Sequence, residues 1–276
     1  MAASRGTEFE WHNLKAHELN ALAKRDAVVI VPVGSTEQHG PHLPVQVDAL
    51  LAAEVTRRAA RKLCDRGKPV VILPAVWTGL AEHHMAFGGT ITLDFATFHA
   101  LLRGICQSVV RHGFRRVLLM NGHGGNIAAL NVIVGELARE LGVSIATTSY
   151  WTLDDTAKSY AKILERQTNV RHACEAETSM LLLLRPDLVD TKAMRAIADP
   201  PMEVMTSRKG MYRYRSFREF SKSGVIGDPS VATAKKGERL LEAAALALAE
   251  AIEAPGFWAS ERGADRRVGN RRRRGR

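Results

Sequence analysis

Ala27-Val-Val-Ile-Val-Pro-Val33 runs directly into Gly34-Ser-Thr-Glu-Gln-His-Gly-Pro-His-Leu-Pro44. Seven consecutive apolar residues dominated by Val read as a strand buried on both faces, the mark of a parallel sheet. The polar segment then leaves the carboxyl end of that strand, the edge on which open α/β sheets build binding crevices. Similar buried strands are predicted at Pro69 to Val76, Arg116 to Met120 and Val143 to Thr147. Between them, Asp48 to Asp65, Asp94 to His112 and Asn126 to Leu141 carry helical spacing. Asp94 is placed to cap its helix, and Gly113 and Gly142 stand where helices stop. Strand–helix alternation of this kind predicts an α/β fold with helices on both faces of a mostly parallel sheet.

Past Tyr150 the pattern is less regular, with helices predicted at Asp154 to Gln167, His172 to Leu184 and Ser230 to Ile252. Met202 to Asp228, rich in Arg, Ser and Gly, reads as a long excursion or lid, the kind of loop that is usually functional. No internal repeat or Ser/Pro linker interrupts the chain, so residues 1–260 read as a single domain.

Composition narrows the function. With 46% hydrophobic and 25% charged residues among 276, the chain is neither disordered nor of low complexity. No apolar run approaches the ~20 residues of a membrane helix, and Met1 to Glu10 lacks a signal-peptide pattern. Cys64, Cys106 and Cys174 form no CxxC pair and read as reduced thiols, so a cytoplasmic location is expected. The net charge of +10 is concentrated at one end. Residues 261–276 hold eight arginines against Glu261 and Asp265, six of the ten net positive charges. That block reads as a disordered tail able to touch acidic partners without specifying a site.

Six of the ten histidines fall in four short segments, each following a predicted strand or opening a helix. Glu37 and His39 are two apart, so an extended backbone points both to one side, and Asp48 opens the next helix. A carboxylate and imidazoles on one face suit a borderline divalent metal; the other reading makes Glu37 and Asp48 helix caps. Asn121-Gly-His123-Gly124-Gly125-Asn126 follows the Arg116 strand, and its glycines let the backbone approach a ligand. Its spacing matches neither GxGxxG nor a P-loop, which argues against phosphate. In His172-Ala-Cys174-Glu175-Ala-Glu177-Thr-Ser179, the acids could serve the helix dipole or supply a missing metal ligand. His172 is placed for proton transfer, and Cys174 has no base beside it to make it a nucleophile. His83 and His84, in Gly79 to Thr90, could line the pocket or hydrogen-bond to ligands.

Taken together, these motifs resemble the creatininase (creatinine amidohydrolase) family from Val31 to Ser179, and Gly224-Val-Ile-Gly-Asp-Pro229 extends the likeness. The resemblance implies a three-layer α/β/α fold and hydrolysis of a carbon–nitrogen amide bond. It implies two divalent ions, zinc or manganese with iron in some members, with Glu37 and His123 on one, His39 on the other and Asp48 bridging. It also implies a small-molecule amide substrate and a homo-oligomer, commonly a hexamer. Where creatininase has its last ligand, a Glu, this chain has Gly125; Glu175 is the expected substitute, as ligand and catalytic group, and Glu177 the alternative. Gly124 and Thr168 replace aromatic residues, whereas Tyr150-Trp151 matches an aromatic wall of the pocket, with His84 beside it. Relatives that act on a formamide or a modified peptide widen the substrate range. Two other classes are weighed: a two-metal phosphoesterase, and a nucleic-acid-binding protein acting through its tail. The core carries no recognised nucleic-acid module.

Because residues 261–276 offer almost no apolar surface to bury, their deletion is expected to leave the melting temperature unchanged in a thermal scan. A large drop would show that the segment packs on the domain.

Overall fold

The computed structural model describes residues 7–198, 200–202, 207–208 and 211–259. The elements run α1 (Ala16–Lys24), β1 (Val28–Val33), α2 (Val47–Asp65), β2 (Val70–Ile72), α3 (Phe95–Arg111), β3 (Arg116–Asn121), α4 (Ile127–Leu141) and β4 (Ser144–Ser149). They continue with α5 (Asp154–Ile163), α6 (Glu175–Leu184), α7 (Thr191–Arg195), the strand pair β5 (Ser207–Arg208) and β6 (Met211–Tyr212), and α8 (Ala234–Glu253). The arginine-rich tail lies outside the described residues.

The first four strands form a parallel sheet in the order β2-β1-β3-β4. Its two faces are covered because successive side chains of each strand point to opposite sides. Val28 and Ile30 of β1 and Leu118 and Met120 of β3 enter one core with Leu51, Val55, Met180, Leu240 and Leu248. Val29, Val31, Val117 and Leu119 enter a second core with Phe98, Leu102, Ile133 and Leu137. Helices α2, α6 and α8 therefore form one layer and α3 and α4 the other, which is the expected three-layer α/β/α arrangement. Within the first layer α8 packs against α2, α5 and α6.

Several boundaries differ from expectation for identifiable reasons. The strand predicted over Pro69 to Val76 contracts to three residues, because Pro74 has no N–H for the ladder; Val76 regains a single bridge to Val33. β4 is half-buried rather than buried, as an edge strand of Ser, Ala and Thr would be. The helix predicted from His172 begins only at Glu175, since the His172 backbone pairs with Ile226. The last helix begins at Ala234, where the Thr233 side chain accepts a hydrogen bond from Lys236 N at 3.2 Å. The three cysteines are free, and Cys106 and Cys174 are buried. Among the described residues no helix is long and apolar enough to cross a membrane.

Loss of the α8 cap should be measurable because α8 joins three other helices. Thr233→Ala is expected to cost about 1 kcal/mol in denaturant unfolding, with Thr233→Ser close to neutral; equal stability of all three proteins would refute the cap.

Candidate active site

β1 leads through α2 to β2 on one side of it, while β3 lies on the other. The crevice between the carboxyl ends of β1 and β3 is thus a topological switch point, the place where open parallel sheets bind ligands. The loop after β1 brings Glu37 and His39, and the first turn of α2 returns Asp48. The segment after β3 brings His123. A Cβ on Gly122 would lie 2.3 Å from the Asp48 carbonyl oxygen, so α2 starts this close to β3 only because residue 122 is glycine. Glu177 enters from the first turn of α6, and His84 from a 3-10 turn at Glu82–Phe87. His172 is held beside them by its backbone bridge to Ile226.

Glu37, His39, Asp48, His123 and Glu177 are all buried. His123 Nδ1 lies 2.9 Å from Glu37 Oε2 and 3.0 Å from Asp48 Oδ2. His39 Nε2 lies 3.2 Å from Asp48 Oδ1 and 3.9 Å from Glu177 Oε1. Backbone carbonyls decide where each ring carries its hydrogen. His39 Nδ1 is 3.1 Å from Glu37 O and His123 Nε2 is 3.0 Å from Leu80 O, so each donates there. When the rings are neutral, their opposite nitrogens are bare and face carboxylates. Accordingly His39 Nε2, Glu37 Oε2 and Asp48 Oδ2 find no hydrogen-bond partner.

Lone pairs and carboxylates packed together away from water require a positive charge between them, either a proton or a cation. As a proton, the demand is visible on four groups: burial raises the Glu37 carboxyl, and although burial opposes a charge on His123, the Glu37 carboxylate raises that ring well above its ordinary value. Burial opposes a charge on His39, but the Asp48 carboxylate lifts it to about 9, and burial lifts Glu177 to about 7. As a cation, the demand fits a divalent metal with mixed N/O preference such as zinc or manganese. The sets Glu37–His39–Asp48 and Glu37–His84–His172 each bring three potential ligand atoms within 4.8 Å of one another.

Glu175 requires a correction. Its carboxylate accepts hydrogen bonds from Glu165 N at 3.0 Å and Arg166 N at 2.9 Å, and pairs with Lys236 Nζ at 2.6 Å. It ties α6 to the end of α5 and to α8, away from the crevice, and Glu177 faces the cluster instead. Tyr150 is also corrected: it is fully buried in the first core, stacked edge-on against Trp151 at 4.7 Å. Trp151, Gly124, His83 and His84 line a cavity of about 690 Å³ over the cluster. His42 turns away to Thr178 Oγ1, 2.9 Å distant.

Phe217 was not anticipated. It comes from the Met202–Asp228 excursion, is buried, and packs on His84 at 4.3 Å and on His172 at 4.6 Å. Tyr212, Tyr214 and Phe220 of the same excursion line the cavity. The only trace in the sequence is a density of aromatic residues in an otherwise polar stretch.

A family profile described as creatininase, creatinine amidohydrolase, matches residues 12–252. A mycofactocin precursor peptide peptidase of Mycobacterium tuberculosis is 33% identical over 225 residues, 78% of this chain and 80% of that protein. A creatinine amidohydrolase of Pseudomonas putida is 30% identical over 267 residues, 89% of this chain and 94% of that protein. The crystal structure of a creatininase superposes with a TM-score of 0.76 at 28% identity, covering 90% of this chain and 99% of that one. Solved creatininases include a mutant described as Zn–Zn type (TM-score 0.75, 27% identity, 90% of this chain and 100% of that one) and a manganese form (0.73, 28%, 90% and 100%). With the family profile spanning nearly the whole described core, the chain belongs to the creatininase family of hydrolases that act on carbon–nitrogen amide bonds.

Proposed function

We propose that this chain is a binuclear-metal-dependent amide hydrolase, with Glu37 and His123 holding one ion, His39 and Glu177 the other, and Asp48 shared. The observation that carries the reading is the pair of hydrogen-free imidazole nitrogens aimed at buried carboxylates. Zinc or manganese, with iron as a further option, would supply Lewis-acid activation of the amide carbonyl and of water there.

The chain's own groups handle the proton. His172 Nε2 lies 2.8 Å from Gln38 O and donates to it, which leaves Nδ1 bare and 3.6 Å from Glu37 Oε1. Burial, reinforced by His39, holds the ring well below its ordinary pKa and therefore neutral. A neutral imidazole with a free Nδ1 can accept the proton that attacking water loses and return it to the departing amide nitrogen. His84 Nε2, 3.1 Å from Glu37 Oε1, braces that carboxylate. Trp151, Gly124 and Phe217 provide the walls against which the substrate rests.

A cyclic amide or formamide is the primary substrate class. The second reading, a modified peptide, is supported by a cavity of about 690 Å³ with six aromatic residues on its lining, a size that accommodates larger ligands, and by the peptidase relative. The free thiols support a cytoplasmic setting. The family resemblance supports a homo-oligomer, hexamer or smaller, which equilibrium sedimentation would read. A hydrolysis panel of cyclic amides, formamides and peptides on metal-loaded enzyme tests the reading; phosphate release from model esters with no amide turnover would sink it.

Metal analysis separates the acidic residues. Asp48→Ala is expected to lose both ions and activity, and Glu177→Ala to lose one ion. Glu175→Ala should keep both and instead lose about 1–3 kcal/mol of stability, since the Glu165 and Arg166 N–H groups lose their acceptor while Lys236 keeps Glu165 at 2.7 Å. Loss of metal from Glu175→Ala with unchanged stability would reverse the assignment.

His172→Ala should retain both ions and lower kcat by about 10²–10⁴-fold, the worth of general acid–base catalysis. Substrates with better leaving groups should recover part of the rate. A normal kcat at full metal content would remove His172 from the chemistry.

A further inference from the structure

Gln38 sits between the two active-site histidines that are not in the central carboxylate cluster, and it is buried. Its side-chain orientation is fixed by two backbone groups. Oε1 accepts from Gly40 N at 2.9 Å, and Nε2 donates to Gly224 O at 3.3 Å. Reversing the amide would set donor against donor at Gly40 and acceptor against acceptor at Gly224. Gly224 is required for this fit, since its φ is +78° and a Cβ there would lie 2.1 Å from Gln38 Oε1. That accounts for the glycine at the head of the Gly224–Pro229 motif, which lies outside the central cluster.

With the amide fixed, both imidazoles follow. The second amide hydrogen points to His84 Nδ1 at 2.8 Å, so that nitrogen must accept and the ring hydrogen must sit on Nε2. Nε2 is the atom 3.1 Å from Glu37 Oε1, and it therefore donates to the carboxylate. His172 Nε2 meets the Gln38 backbone oxygen at 2.8 Å, and a carbonyl oxygen can only accept. That nitrogen also lies 3.0 Å from the Gln38 amide nitrogen; it cannot accept there while donating to the carbonyl, and both amide hydrogens are already used. His172 is thereby left with a bare Nδ1 toward the crevice.

We propose that Gln38 is a positioning residue that sets the two histidines in opposite senses, an N–H on His84 toward Glu37 and a lone pair on His172 toward the substrate. With the His84 hydrogen on Nδ1 instead, a bare nitrogen would face the Glu37 carboxylate and push it out of place. The consequence for metal affinity rests on the binuclear reading above; the ring assignments do not.

The test is a double-mutant cycle on the full chain, read as zinc affinity by competition with a chromophoric chelator and as melting temperature. Gln38→Met removes the fixed amide. His84→Gln supplies a donor amide where the imidazole Nε2 stood, and needs no neighbour to choose a tautomer. Gln38→Met is expected to weaken zinc binding by about 10–100-fold, the usual effect of losing a group that orients a ligand. In the His84→Gln background the same change should have little further effect on affinity. An equal loss in both backgrounds, or a lower melting temperature with unchanged affinity, would show that Gln38 is only a structural anchor and overturn the proposal. Should Gln38→Met not fold, the wild type decides through its ring ¹⁵N spectra. Hydrogen on Nε2 of both His84 and His172 supports the assignment, and hydrogen on Nδ1 of His84 overturns it. Failure of the wild type to bind zinc would defeat the binuclear reading, while the spectra would still judge the ring assignments.

Discussion

Three carboxylates, Glu37, Asp48 and Glu177, converge in one buried crevice, and their mutual repulsion is the constraint the surrounding structure answers. An isolated carboxylate in an apolar interior costs many kcal/mol, and three together are sustained only by compensating positive charge. The neighbours are arranged so that a proton cannot satisfy all of them at once. His39 and His123 each place their ring hydrogen on a backbone carbonyl, of Glu37 and Leu80 respectively. Their remaining nitrogens are thereby aimed into the cluster, toward its carboxylates. Fixing the tautomer with a main-chain oxygen is a rigid solution, because both carbonyls belong to loops at the sheet's carboxyl edge.

The sheet supplies that rigidity. Val33 of β1 pairs with Asn121 of β3, and Asn121 with Ser149 of β4, so three strands end in register at one edge. Each then releases a functional segment from the same height: Glu37 and His39, His123, and Trp151. Asn121 and Asn126 reinforce the edge. Asn121 Nδ2 donates to His123 O at 2.7 Å and to Ser149 Oγ at 2.9 Å, and Asn126 Nδ2 donates to Gly34 O at 3.1 Å. The segments therefore move as one unit, as a site that must hold atoms to within a fraction of an ångström requires.

The fold and four of the five cluster residues were legible because they depend on local signals. A Val-rich run fixes a buried strand, and polar residues immediately after it fall at the sheet's carboxyl edge. Glu37, His39, Asp48 and His123 were found in this way. The choice between Glu175 and Glu177 was not legible. Residues two apart on a helix point about 200° from one another, so only one can face the crevice. Which one depends on Lys236, 61 residues away, and on the amides of Glu165 and Arg166. Tyr150 and Trp151 divide similarly, one to the core and one to the cavity, at a strand end where the direction of the turn decides. Phe217 lies in a stretch with no periodicity, and its place over His84 and His172 is set by long-range packing.

Gly125 shows how this edge of the cluster is filled where residue 125 has no side chain. A Cβ at this position would lie 2.4 Å from His123 Nε2 and from Leu80 O, and 2.8 Å from His83 Cε1. The His123–Leu80 hydrogen bond and the His83 ring thus occupy the space a larger residue would need. His83 stacks on His123 at 5.6 Å and packs tilted against His84 at 4.3 Å, closing this side of the cluster with imidazole rather than carboxylate. Glu177, with Glu37 and Asp48, brings the buried carboxylates around the imidazoles to three. Negative charge therefore lies with Glu37, Asp48 and Glu177, while the side at Gly125 is lined by imidazole.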